Sequence, residues 1–248
     1  KYFVLGAIAS GCLLYGISLL YGMTGTLSLS GLAETFSSAD QFNIPVLFGL
    51  SFVVVGVAFK FGAVPFHSWV PDVYQGAPAP VTLFIASAPK IAAFALAMRL
   101  LVDGLGDLQG GWQDMLVALS VLSIVIGNLV AIVQTNIKRM LAYSSIAHVG
   151  YLMIVFMVCI DAANRALAVE AAMYYLIAYT ATTIAAFGLL TLICADHADR
   201  ENIQLQQISG LFWRQPVLAC LMLVALLSLA GIPLTAGFIA KFYLVSAA

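Results

Sequence analysis

Charge is what this chain has least of. Of 248 residues, 8% are Asp, Glu, Lys or Arg, and the net charge is −1, where an ordinary soluble domain carries about a quarter charged residues. So few charges exclude a surface solvated all round, and ten basic residues against eleven acidic ones exclude the basic face that nucleic acid demands. Cysteine is also scarce. Cys12, Cys159, Cys194 and Cys220 lie in or at the ends of apolar runs, without CxxC or Cys/His spacing, so packing is expected of them rather than disulfide or metal chemistry. No GxGxxG turn, iron–sulfur cysteine set or haem ligand pair occurs, so no cofactor and no metal is expected in this chain. No signal peptide stands at the front: the chain opens on Lys1 and stops in "LVSAA", which reads as a portion of a longer protein.

Apolar residues fill the space, at 63% of the chain with a mean hydropathy of +1.05. A run of about 20 residues crosses a ~30 Å hydrocarbon core at 1.5 Å per residue. Seven such spans are expected, at about 2–21, 44–75, 80–101, 113–134, 140–160, 167–194 and 215–247. The fold class is therefore an all-α polytopic membrane protein, with residues 1–248 forming a single transmembrane domain. Alternate crossings put Lys1, Lys138, Arg139, Arg200 and Arg214 on one side, and the excess of basic residues marks that side as cytoplasmic. Trp69, Trp112 and Trp213 sit near the ends of apolar stretches, where amphipathic rings favour the headgroup level, and are expected to be anchors.

Three of the five lysines fall inside spans: Lys60, Lys90 and Lys241. An ionised lysine at mid-depth costs at least ~2.5 to 3.5 kcal/mol, so such residues face a hydrated interior and mark ion or proton paths. Lysine suits proton work because burial and a moving partner charge load or release its proton. No acid in the chain is an evident buried partner, Glu170 lying only three residues into its span. His148, in "SSIAHVGYL", is ~12 Å deep by helical rise, and a histidine there exchanges protons near neutrality. His67, between Pro65 and Pro71 with Asp72 nearby, is a candidate for proton entry.

Two spans also carry proline breaks, Pro65 in "KFGAVPF" and Pro233 in "LAGIPLTAGFIAKF". Each removes a backbone donor beside glycines and opens carbonyls inside a span. Two of the seven helices are thus expected to be interrupted, a pattern of transporters built from inverted repeats. A lysine lies five residues before one break and eight after the other.

"KFGAVPFHSWVPDVYQGAPAPVTLFIASAPKIAAF", "QTNIKRMLAYSSIAHVGYL" and "GLFWRQPVLACLMLVALLSLAGIPLTAGFIAKFY" together resemble the antiporter-like membrane subunits of respiratory complex I, the NADH:quinone oxidoreductase. "PFHSWVPD" also resembles the related subunits of multisubunit cation/proton antiporters and membrane-bound hydrogenases, while "DVYQGAPAP" resembles one branch of the complex I family in particular. The resemblance implies a fourteen-helix inverted-repeat fold of which this chain supplies the sixth to twelfth helices. It implies that Lys60 and Lys241 are the lysines of the interrupted seventh and twelfth helices, that Lys90 belongs to the eighth, and that His148 lies in the central polar axis. The acidic partner of Lys60 would then belong to a preceding helix. It further implies a proton-translocating subunit in a bacterial inner membrane, whose partners are neighbouring antiporter-like and other membrane-arm subunits, the lipid bilayer and protons. NADH, FMN, Fe–S clusters and quinone would be bound by other subunits. The alternatives are a sodium/proton antiporter or energy-converting hydrogenase subunit, and a purely structural membrane anchor.

Overall fold

The computed structural model describes residues 2–38, 43–159, 163–193 and 204–247; Lys1, Cys194 and Arg200 lie outside the described residues. Within them run helices α1 (Tyr2–Thr24), α2 (Leu29–Ser38), α3 (Ile44–Phe61), α4 (Trp69–Gly76), α5 (Ala79–Ala97), α6 (Gln109–Val133), α7 (Ile137–Val158), α8 (Arg165–Ile193), α9 (Leu211–Arg214), α10 (Pro216–Ala230) and α11 (Ala236–Ala247). A seven-residue π-helical turn, Met98–Gly104, extends α5. Among the described residues six stretches are long and apolar enough to cross a membrane: Tyr2–Thr24, Ile44–Phe61, Ala79–Gly104, Gly106–Val133, Ile137–Val158 and Arg165–Ile193. Helices α10 and α11, of 15 and 12 residues, are apolar but each too short to cross alone, and together they occupy the stretch where the seventh span is expected.

Both expected interruptions are present. Helix α3 stops at Phe61 because Gly62 turns left-handed (φ 73°), its N–H closing on Ala58 O and Phe59 O, a conformation that glycine adopts without penalty. Regular helix resumes only at Trp69. Helix α10 ends the same way at Gly231 (φ 79°), bonded to Leu227 O and Ser228 O, and α11 starts at Ala236. In lipid the freed groups need partners inside the protein, and they have them. Val64 N donates to Ser123 Oγ at 3.0 Å, Trp69 Nε1 to Phe59 O at 3.0 Å, and Gly237 N to Ser228 Oγ at 3.1 Å.

Two tryptophans therefore need a corrected role. Trp69 and Trp112 are buried, and each ring nitrogen binds a carbonyl at a helix break or turn, Trp112 reaching Leu105 O at 2.9 Å. They are internal ties rather than headgroup anchors. Only Trp213 of the three is exposed, at 87%, as an anchor requires.

Helix α7 is the hub, with two thirds of its residues buried. Its closest neighbour is α6, and small residues allow the approach: a Cβ at Gly150 would stand 2.8 Å from Ser120 O, while Ser120 Oγ donates to Gly150 O at 2.7 Å. Close backbone crossing at small residues is how helices associate where lipid removes the hydrophobic driving force. The loop charges sort to opposite ends. Arg139 binds Asp72 and Gln75 at 3.0 Å and the fully buried Lys138 donates to Ala77 O, all at one end; Arg165 pairs with Asp103 at the other.

Candidate functional site

The site grows from the C-terminal ends of the broken helices. Carbonyls at a helix C-terminus carry partial negative charge and attract cations. Lys60 lies in the last turn of α3. Lys241 sits on α11 yet reaches back to the end of α10, donating to Leu229 O at 3.0 Å and Ala230 O at 3.2 Å. Its ammonium also lies 5.0 Å above the Tyr151 ring, a favourable cation–π placement.

Lys90, on α5, is 4% exposed. It donates to Ser145 Oγ and, at 3.3 Å, to Ser145 O, with its ammonium 5.3 Å from the centroid of the Tyr179 ring. Ser145 Oγ and Tyr179 Oη are 2.8 Å apart. One helical turn along α7, His148 is buried, its Nδ1 2.5 Å from Tyr175 Oη. Tyr175 O–H also has the His148 carbonyl within 3.2 Å. The His148 ring then faces Tyr179 and Tyr151, with centroids 5.2 and 6.5 Å away.

The structure thus brings Lys90, His148 and Lys241 into one polar row across α5, α7, α8, α10 and α11, Lys90 and His148 buried and Lys241 half-buried. Lys60 joins it differently. It is exposed and shares with Lys90 the lining of a groove of about 590 Å³ between α1, α3 and α5, walled by Tyr2, Phe59 and Trp69. His67 stands apart, half-buried in the connection between α3 and α4 with its ring 6.3 Å from Tyr143, and touches none of the lysines. Among the described residues the two carboxylate ion pairs are Arg139–Asp72 and Arg165–Asp103, and Lys90 and Lys241 are held by dipoles and rings. Nor, among the described residues, do three His, Cys, Asp or Glu side chains gather to share a metal ion.

Sequence reasoning missed Ser145, Tyr151, Tyr175 and Tyr179. A signal was there: Ser145 and His148 are three apart on α7, and Tyr175 and Tyr179 four apart on α8, so each pair lies on one helical face. Hydroxyls in apolar runs carry no charge to advertise them, and singly they read as packing.

The chain matches over residues 1–248 the family described as NADH:quinone oxidoreductase/Mrp antiporter, TM. It is 52% identical over its whole length to NADH-quinone oxidoreductase subunit N of Halorhodospira halophila and 50% identical to that of Thioalkalivibrio sulfidiphilus, covering 50% of each. The chain spans about half the length of these curated relatives. Among solved structures it resembles a chain of respiratory complex I from Thermus thermophilus with bound aureothin (37% identity, TM-score 0.79), covering all of this chain and 52% of that one. It also resembles a chain of the Mrp complex from Dietzia sp. (26% identity, TM-score 0.85), covering 99% and 44%. A multi-pass helical chain with two broken helices and an internal lysine–histidine row, matched from its first residue to its last, belongs to the NADH:quinone oxidoreductase/Mrp antiporter transmembrane family.

Proposed function

We propose that this chain is the proton-translocating part of a subunit N of a bacterial, proton-pumping NADH:quinone oxidoreductase. The observation that carries the proposal is the internal row of buried Lys90, buried His148 and half-buried Lys241, linked by hydroxyls and carbonyls and opening at one end onto the groove that holds Lys60. Each lysine can take up and release a proton, each hydroxyl can accept and donate at once, and the row runs across the bundle from helix to helix. Lateral transfer of charge is what a membrane subunit needs when its energy comes from redox chemistry elsewhere in a complex. NADH, FMN, Fe–S clusters and quinone belong, in this reading, to other subunits, and the chain's own contribution is to hold and move protons.

His67 serves as an entry point beside the break at Pro65, and the end carrying Lys138, Arg139 and Arg214 faces the cytoplasm across a bacterial inner membrane, following the excess of basic residues. Other membrane-arm subunits, antiporter-like ones among them, are its partners. A second reading, a sodium/proton antiporter or energy-converting hydrogenase subunit, is consistent with the fold shared with the Mrp chain; sodium-dependent transport without quinone reductase partners would distinguish the antiporter. A purely structural anchor has no use for buried lysines.

The test is Lys60→Ala and Lys90→Ala in the full-length protein within its assembled complex. Proton pumping by membrane vesicles is expected to fall sharply in both, with incorporation of the subunit unchanged. Wild-type pumping in the doubly substituted complex would overturn the proposal.

A further inference from the structure

Lys90 and His148 do not touch; the polar groups between them are the hydroxyls of Ser145 and Tyr179. Building on the proton-translocating function above, we propose that these two hydroxyls are the relay that carries a proton between Lys90 and His148, and that the charge on Lys90 sets the direction in which the relay points.

The direction follows from donor and acceptor chemistry. A lysine ammonium has three donors and no acceptor, whereas a hydroxyl has one donor and two acceptor lone pairs. With Lys90 charged, Ser145 Oγ receives its N–H, so the Ser145 proton is free to point only away from Lys90, and Tyr179 Oη at 2.8 Å is the acceptor in place. Tyr179 then turns its own proton onward. Its neighbours there are the Ala86 carbonyl, at a long 3.4 Å, and two voids of about 10 Å³ that Tyr179 and His148 border together. Each void is the size of one water and is lined by further hydroxyls, Thr183 in one and Thr182 and Ser228 in the other, the polar partners a single water requires.

His148 stands at the far end of the relay. Its Nδ1 is occupied by Tyr175, which accepts an Nδ1–H while giving its own proton to the His148 carbonyl. With Nδ1 held by Tyr175 and the Leu229 backbone the ring's other hydrogen-bond partner, the relay delivers its proton at Nε2, and Tyr175 is a positioning residue. Transfer is a concerted shift with no electron gained or lost. The Lys90 N–H bond breaks as a Ser145 O–H bond forms; the former Ser145 proton passes to Tyr179 Oη, the Tyr179 proton to one water, and a water proton to Nε2. A neutral amine and an imidazolium remain. The neutral amine now has a lone pair, accepts from Ser145, and Ser145 accepts from Tyr179, so the row points back towards Lys90. Passing a second proton the same way requires that His148 release the first, that Lys90 be recharged, and that the two hydroxyls and the water turn back, with no movement of the chain's heavy atoms.

Residues that act as one relay are non-additive when removed together. The experiment compares Lys90→Ala, Tyr179→Phe and the double substitution in the full-length protein in its assembled complex, reading protons pumped per NADH oxidised by vesicles. Phenylalanine keeps the ring that lies beside Lys90 and His148 and deletes only the hydroxyl. Tyr179→Phe is expected to lose the same fraction of pumping as Lys90→Ala, with the double variant within about twofold of either, where independent losses would multiply. Tyr174→Phe, a hydroxyl deletion on the exposed face of the same helix, is expected to pump normally. Ser145→Ala should match Tyr179→Phe, and carries the same comparison if Tyr179→Phe fails to assemble. The relay is overturned if Tyr179→Phe and Ser145→Ala pump at the wild-type level while Lys90→Ala does not, or if the two losses multiply in the double variant. Wild-type pumping by Lys90→Ala would instead strike at the proposed function, and the relay would fall with it.

Discussion

Replacing Gly231 by alanine disturbs Lys241 without altering its side chain. Gly231 caps α10 at φ 79°, ψ 42°, a left-handed conformation that costs an L-residue about 1 to 2 kcal/mol. Its new Cβ would stand 2.9 Å from Lys241 Cδ and 3.2 Å from Lys241 Nζ, closer than ordinary carbon contacts of about 3.5 to 4.0 Å. The backbone at the cap is fixed by two hydrogen bonds, to Leu227 O and Ser228 O, so the flexible lysine is what moves. Moving it forfeits at least one of its bonds to Leu229 O and Ala230 O, and a hydrogen bond from a charged donor is worth about 1.5 to 3 kcal/mol. A displacement near 2 kcal/mol changes the ratio of docked to undocked Lys241 roughly 30-fold, at about 1.4 kcal/mol per tenfold. In vesicles of the assembled complex, Gly231→Ala should therefore lose as much pumping as Lys241→Ala while the subunit still incorporates. Gly22→Ala, where a Cβ meets nothing within 4 Å, should pump normally. Full pumping by Gly231→Ala would refute the idea that Lys241 must dock on the end of α10.

Two further outcomes test the frame around the row. Asp72 and Arg139 are 32% and 29% exposed, so a double-alanine cycle on thermal inactivation of the complex should give a coupling of about 0.2 to 1 kcal/mol that fades in high salt; a coupling of several kcal/mol that ignores salt would contradict this. Gly150→Val puts a Cβ 2.7 Å from Ile124 Cγ1 and 2.8 Å from Ser120 O, so the subunit should fail to appear in membranes, whereas Gly11→Val, with nothing within 4 Å, should incorporate normally.

The spans and both breaks were legible because they rest on strong, local signals: length and hydropathy for the crossings, and for the breaks a glycine that ends the helix before a proline that cannot rejoin it. Gly62 before Pro65 and Gly231 before Pro233 mark the interruptions within a residue or two. The lysines were legible because an ionised group in an apolar run is expensive and hence conspicuous. What escaped was everything uncharged. Trp69 and Trp112 read as interfacial because sequence depth does not say whether a ring faces lipid or a neighbouring helix, and the answer lay in a freed carbonyl, Phe59 O or Leu105 O. The hydroxyls escaped because α5, α7 and α8 must pack before Lys90, Ser145 and Tyr179 are neighbours, 55 and 34 residues apart in sequence.

Without a buried carboxylate in sight, the three lysines looked unpaid for in the sequence, and the structure supplies a different compensation. Insertion of a charged lysine costs at least about 2.5 to 3.5 kcal/mol. Lys241 sets against this two carbonyls and the Tyr151 ring, and Lys90 the hydroxyl and carbonyl of Ser145 with the Tyr179 ring. At about 1.5 to 3 kcal/mol for each hydrogen bond to a charged group and up to about 2 for a desolvated cation–π contact, either set is sufficient to hold an ammonium group. The choice of partner has a consequence for transport. A carboxylate would pin the ammonium with a full opposite charge, and removing the proton would strand that charge in a dry interior, at a cost of about 3 to 5 kcal/mol for a broken buried pair. Carbonyls, hydroxyls and aromatic faces are neutral, so a lysine that gives up its proton leaves no unpaired charge behind. Neutral partners also separate the two ammonium groups along the row without bringing a further charge between them. Dipoles and rings thus let the lysines of this row be charged and discharged in place, which acid partners on every lysine would forbid.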